Sequence, residues 1–178
     1  MKAKHSAIVE EETLTIKETN NREWYDYIGI NFGSPKITVY IPEKEFENIT
    51  VKSSTGDISF GDLAAAKIDI SVTTGKVMLC DIKCGELTTT GDTGGVYLER
   101  VLTDKMCVNR STGHVELDAC DSDEILIETD TGDVKGSLLS GKEFECETDT
   151  GKIDVPNTTG GKCGIKTDTG DIRISISE

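Results

Sequence analysis

Histidine, proline and aromatic side chains are scarce in this chain of 178 residues: two histidines (His5 and His114), three prolines, and one Trp, four Tyr and four Phe. So few imidazoles leave little from which to build a zinc centre or a histidine-based catalytic site. The six cysteines include no C-x-x-C pair, and the chain is larger than disulfide-dense domains, so neither a metal cluster nor a disulfide framework is expected. There is no run of 18 or more apolar residues, hence no expected transmembrane helix. Met1-Lys2-Ala3-Lys4-His5 has no apolar stretch behind it, so no signal peptide is expected either. Positive charge is short: 19 basic against 33 acidic residues, a formal charge of -14. Nucleic acid and anionic membranes both require a positive face, which argues against them as partners. Residues 113–178 hold 16 acids and 6 bases, which reads as a self-repelling soluble surface or as an end that attracts cations. G-x-S-x-G, H-E-x-x-H and phosphate-binding glycine loops are missing, and arginine is limited to Arg22, Arg100, Arg110 and Arg173. No enzyme activity and no cofactor are therefore expected.

What is abundant is glycine at a fixed interval. Gly56, Gly75, Gly94, Gly113, Gly132, Gly151 and Gly170 recur every 19 residues without insertion or deletion. Thr precedes each, and Ile or Val follows two places later (Ile58, Val77, Val96, Val115, Val134, Ile153, Ile172). A constant period of this length is the signature of a solenoid. Only 35% of the residues are apolar, thin for a compact globule but sufficient for narrow coils.

Numbering each coil from its glycine, apolar residues recur at positions 3, 5, 8, 13 and 15. Position 8 is Leu63, Ile82, Val101, Cys120, Leu139 and Thr158; position 13 is Ile68, Leu87, Met106, Ile125, Phe144 and Cys163. The pairs at 3 and 5, and at 13 and 15, have the period of two of half-buried strands, with β-branched bias and no helical spacing. The expected fold is all-β: a single-stranded parallel β-solenoid of about seven to eight 19-residue coils. Each coil should hold two short strands, a corner near position 8 and a turn at Thr-Gly, where glycine supplies positive φ or room for close backbone approach. Consecutive coils stack in parallel at roughly 4.8 Å. The register extends back one coil, with Val39, Ile41, Ile49 and Val51 at positions 3, 5, 13 and 15. The expected organisation is an N-terminal capping segment, 1–36, followed by the solenoid, 37–178. Strands around Leu14-Thr15-Ile16 and Ile28-Gly29-Ile30 would cover the first coil. The aromatic cluster Trp24, Tyr25, Tyr27, Phe32, Tyr40 and Phe46 belongs to that cap or forms a ligand platform.

Asp130, Asp149 and Asp168 occupy position 18 of consecutive coils, either capping turns or forming a cation ladder. Thr129, Thr148 and Thr167 form a hydroxyl ladder beside them. His114 faces Asp133 one coil on, and nothing forces a catalytic pair with Cys107. Cys120, Cys146 and Cys163 take apolar positions and read as core residues, so free thiols favour a reducing compartment or an anaerobic source. The chain stops within a coil at Arg173-Ile174-Ser175-Ile176, so Arg173, Ile174 and Ile176 could offer an assembly edge.

The repeated [ST]-x-T-G-[DKGH]-[IV] phrase, with Pro35-Lys36-Ile37-Thr38-Val39-Tyr40-Ile41-Pro42 leading into Ile49-Thr50-Val51-Lys52-Ser53-Ser54-Thr55-Gly56-Asp57-Ile58, resembles the DUF4097 β-strand-repeat family of unknown function. The resemblance covers about residues 37–178. It implies a right-handed β-solenoid, a place in the bacterial cell envelope or at its surface, and adhesion; the family has no assigned catalytic residues. If the chain is full length, its lack of a signal or transmembrane segment and its scattered free cysteines imply the cytoplasm instead. The leading expectation is a non-enzymatic interaction module, an adhesin whose ladder-built faces bind a protein or glycan. The alternative is a scaffold that polymerises end to end as a homo-oligomer, in the manner of bactofilin-like solenoids. A glycan-processing enzyme is the third.

Overall fold

The structure is a computed structural model that describes residues 4–19 and 36–177, and no helix occurs among them. The chain divides into two compact units, Met1–Ile41 and Pro42–Glu178. The first contains a hairpin of β1 (Lys4–Glu10) and β2 (Thr13–Thr19), antiparallel with Glu10 opposite Thr13. Glu11, at φ 53°, makes the left-handed step that a two-residue loop needs. Of the expected aromatic cap, Trp24, Tyr25, Tyr27 and Phe32 lie outside the described residues, as does the strand expected at Ile28-Gly29-Ile30.

The second unit is the solenoid. It begins with β3 (Glu45–Thr55) and continues through four strands of 17 residues each, β4 (Ile58–Thr74), β5 (Val77–Thr93), β6 (Val96–Thr112) and β7 (Val115–Thr131). All pair in parallel with an offset of 19: Ile58 opposite Val77, Val77 opposite Val96, Val96 opposite Val115. The two short strands expected per coil are one continuous ladder that bends. At the bend, position 7, Asp62, Asp81, Arg100 and Ala119 all have φ of 50–56°. That left-handed residue turns the chain without breaking the pairing on either side. Of the coil expected to start at Ile37, only the second half joins the ladder, with Ile49 opposite Ile68 and Val51 opposite Ile70. Residues 36–42 form no strand, and Ile37, Val39 and Ile41 are exposed.

The thread changes after β7. β8 (Val134–Leu138) stacks on the first half of β7, with Val115 opposite Val134. β9 (Lys142–Thr150) does not stack on the second half. β11 (Gly161–Thr169) lies between them, Cys163 facing Ile125 of β7 on one side and Phe144 of β9 on the other. On the other column β12 (Ile172–Ile176) lies between β8 and the short β10 (Ile153–Asp154). The turn glycines accordingly stack in the order Gly113, Gly132, Gly170, Gly151, and the N–H of each of the first three is bonded to a threonine carbonyl of the next level at 2.9–3.0 Å. Apart from one slip, which sets Cys120 opposite Leu138, the pairings still fall on a multiple of the repeat, so apolar residues meet apolar residues.

Charge favours this order. Stacked directly on β7, β9 would set Glu143 against Glu124 and Glu147 against Glu128. Interposing β11 pairs Lys162 with Glu124 and Glu143, and Lys166 with Glu128 and Glu147. Lys166 Nζ lies 3.2 Å from Glu147 Oε2. Opposite charges across neighbouring strands stabilise and like charges oppose pairing. The other column accepts Lys135 beside Arg173, whose guanidinium turns to Asp171.

The level change has a local cause. No left-handed residue occurs at Leu138, the position equivalent to Ala119, and the register slips so that Leu138 faces Cys120. Leu138 is therefore fully buried, and Leu139, expected in the core, is 46% exposed. Lys142 fills the junction: its side chain is 3% exposed and its Nζ lies 2.6 Å from both Asp121 Oδ1 and Ser140 Oγ. Burial works to raise the Asp121 pKa, but hydrogen bonds from Lys142 and Ser140 outweigh it and hold the carboxyl below its ordinary value. The remaining core is the set of inward ladders, such as Ile68, Leu87, Met106 and Ile125, all at most 1% exposed.

Candidate functional site

One face of the first column carries a shallow groove of about 760 Å³, running along the stacking axis from Ser59 and Phe60 to Gly136 and Ser175. It is built by positions 4 to 6 of successive coils. The alternation of a strand sends position 5 (Leu79, Leu98, Leu117) inward and positions 4 and 6 outward. The outward residues change character along the axis: Met78 and Tyr97 are followed by Glu116 and Lys135 at position 4, and Cys80 by Glu99 and Asp118 at position 6. Gly95 makes space for the Tyr97 ring, since a Cβ there would fall 2.8 Å from it. Lys76 Nζ sits 5.9 Å from the ring centroid, a cation–π contact. Lys135 Nζ and Glu116 Oε1 are paired at 2.8 Å.

The groove is edged by a charged cluster at the corner. Arg100 grips Asp81 with two hydrogen bonds, Nε to Oδ1 at 2.6 Å and Nη2 to Oδ2 at 2.7 Å, and also contacts Glu99. These bonds hold the Asp81 carboxyl at about pKa 2. Cys80 Sγ donates to Asp81 Oδ2 at 3.2 Å, and this bond, with burial, pushes the thiol up to about 11. At neutral pH Cys80 is a thiol, not a thiolate, and a poor nucleophile.

The residues singled out in the sequence are distributed along the solenoid. Asp130, Asp168 and Asp149 stack in that order on the second column, all exposed, with Asp168 carried between the other two by β11. Among the described residues no group of three or more His, Cys, Asp or Glu is placed to hold a metal ion. His114 accepts a hydrogen bond at Nδ1 from the Asp133 backbone N–H at 2.9 Å. Asp57, Asp133 and Asp171 do the same for Lys76, Asp171 and Lys152 at 2.8–2.9 Å, so position 2 is a capping ladder. Among the described residues no hydrogen bond joins Cys107 to His114. Cys120 and Cys163 are buried in the core and Cys146 is half-buried, and all six cysteines are free. Burial raises the pKa of Cys163 to about 12 and that of Cys84 to about 11. Of the residues expected as an assembly edge, Arg173 pairs with Lys135 on one side and Asp154 on the other, whereas Ile174 and Ile176 meet only β8.

Reading the inward positions alone misses the groove, because the outward members of a strand carry no apolar period; the signal was Met78, Tyr97 and Glu116 at one repeat position. It also misses Arg110, which is 1% exposed and runs along the axis past Gly91 to donate from Nη1 to the Val72 carbonyl at 3.1 Å. A Cβ at Gly91 would lie 1.9 Å from that nitrogen. The signal was a glycine one repeat before a position-17 arginine.

No helix among the described residues is long and apolar enough to cross a membrane. Comparison with curated proteins and with solved structures returned no match. The repeat, the parallel ladder and the match of residues 1–178 to the family described as Toastrack DUF4097 agree, and the chain belongs to that family.

Proposed function

We propose that this β-solenoid repeat module is a non-enzymatic adhesin that binds an extended glycan along the groove of its first column. The observation that carries the reading is the sequence of surfaces along that groove: an exposed Met78 and the Tyr97 ring, then Glu99, Glu116 and Asp118. An aromatic face stacks on a sugar ring, and carboxylates accept hydrogen bonds from its hydroxyls. Successive coils repeat at roughly 4.8 Å, about the length of one sugar unit, so a polymer can meet equivalent side chains in register. The chemistry needed for turnover is not favoured here. Cys80, the thiol in the groove, is held protonated by Asp81, and Glu116 is neutralised by Lys135.

The test is binding of neutral polysaccharides in solution, followed calorimetrically, with Tyr97→Ala beside the parent. Saturable binding weakened about tenfold in the variant, ~1.4 kcal/mol, is expected. Absence of binding, or equal binding by both proteins, overturns the glycan reading. Release of reducing ends would show an enzyme instead.

A further inference from the structure

We infer that the two end faces of the solenoid bind each other, so that a second copy of this chain stacks head to tail, its β3 on β9 of the first. This goes beyond glycan binding and does not depend on it.

Among the described residues, both ends present strand edges with no partner on their outer side. Among the described residues β3 pairs with β4 alone, β9 with β11 alone, and β10 with β12 alone. A free edge of this kind is a template for another strand. The two ends also have matching steps. β3 precedes the first full coil by half a turn, and β10 extends half a turn beyond β9. Seating β3 of one copy on β9 of another therefore brings the start of its β4 onto β10.

The repeat sets which residues would then meet. Inward, Ile49 would cover Phe144, Val51 would cover Cys146, and Ile58 would cover Ile153. These are the members of the inward ladders that the single molecule leaves incomplete. Ile153 is 46% exposed and the other five are half-buried, whereas interior members such as Ile68 and Val96 are 0% exposed. Outward, Glu147 would face Lys52 and Lys152 would face Asp57. Glu143, Glu145, Asp149 and Asp154 would face Asn48, Thr50, Ser54 and Ser59, neutral groups able to donate hydrogen bonds. No like-charged pair arises in this register. It continues the pattern already used inside the molecule, where Lys67 pairs with Glu86 and Lys105 with Glu124, both at 3.0 Å. Two β9 edges brought together would instead oppose three glutamates with three, so the charges select head to tail.

The experiment uses the full chain. Light scattering across a concentration series should show growth in mass, and carbodiimide should join Lys52 to Glu147. Those two residues sit six levels apart within one molecule, roughly 29 Å at ~4.8 Å per level, too far for a zero-length link. Lys52→Glu, at an exposed position without an ion pair among the described residues, should lower the association constant at least tenfold. Ile153→Asp, also at an exposed site, should do the same. A monomer at all concentrations, growth unchanged by both variants, or cross-links that join copies elsewhere overturns the inference.

Discussion

At the turn, a single missing atom decides the packing. A Cβ at Gly113 would lie 2.2 Å from the Gly94 carbonyl oxygen, a backbone atom that the ladder holds in place. Gly56 begins the stack and a Cβ there meets nothing within 4 Å, leaving only the strain of its φ of +125°. Gly113→Ala should therefore cost about 3 kcal/mol, and Gly56→Ala nearer ~1 kcal/mol, compared in urea melts. Arg110 is a second single-residue device. Its Nε and Nη2 are buried without a hydrogen-bond partner among the described residues, and burial lowers its pKa, with Asp92 opposing. An unbranched apolar side chain of similar length could fill the slot beside Gly91 without orphaned donors. Arg110→Met is expected to be neutral or stabilising. Arg110→Ala, which leaves the slot empty, should cost about 3 kcal/mol. A loss with Met as large as that with Ala would show that the charge itself is required.

At the scale of the strand, the junction from β8 to β9 carries the unusual energetics. Asp121 is the carboxylate that faces the buried Lys142 ammonium, and removing it strands that charge. Asp121→Asn is expected to lower stability by about 2 kcal/mol at neutral pH, below the cost of breaking a fully buried pair because Asp121 is 29% exposed. The folded protein holds the Asp121 pKa below its ordinary 3.8, so this contribution is present above that pH. It is lost as pH falls below 3.8 toward the depressed folded value. The difference in melting temperature between parent and variant should narrow in that acid window. A gap that stays constant through it would mean Asp121 contributes through packing rather than charge.

At the scale of the molecule, levels β4 to β7 contact only their neighbours, as a one-dimensional stack does. The last segments break that rule. β11 meets β7 at an offset of 38 residues and β12 meets β8 at the same offset, so the C-terminal strands clasp coils that are not adjacent in the chain. The glutamates and lysines of positions 12 and 16 held the clue, readable as charge alternation only once the stacking order is permuted. The core residue at the eighth place of the fifth full repeat was misassigned for a related reason. Leu138 and Leu139 are equally apolar, and only the loss of the left-handed bend at position 7, which Leu138 itself occupies, selects Leu138. The same limit applies to Val39 and Ile41, whose spacing fits a coil but whose segment forms no strand.

A glycine every 19 residues with paired apolar positions was enough to dictate strands, inward faces and register. The reason is that a parallel ladder brings only equivalent positions together, and any offset that is a multiple of the repeat satisfies it. Apolar burial therefore cannot distinguish one multiple from another. Which coil lies on which was settled by the bend missing at Leu138, by the Lys142–Asp121 contact, and by lysines that separate glutamates far apart in the chain.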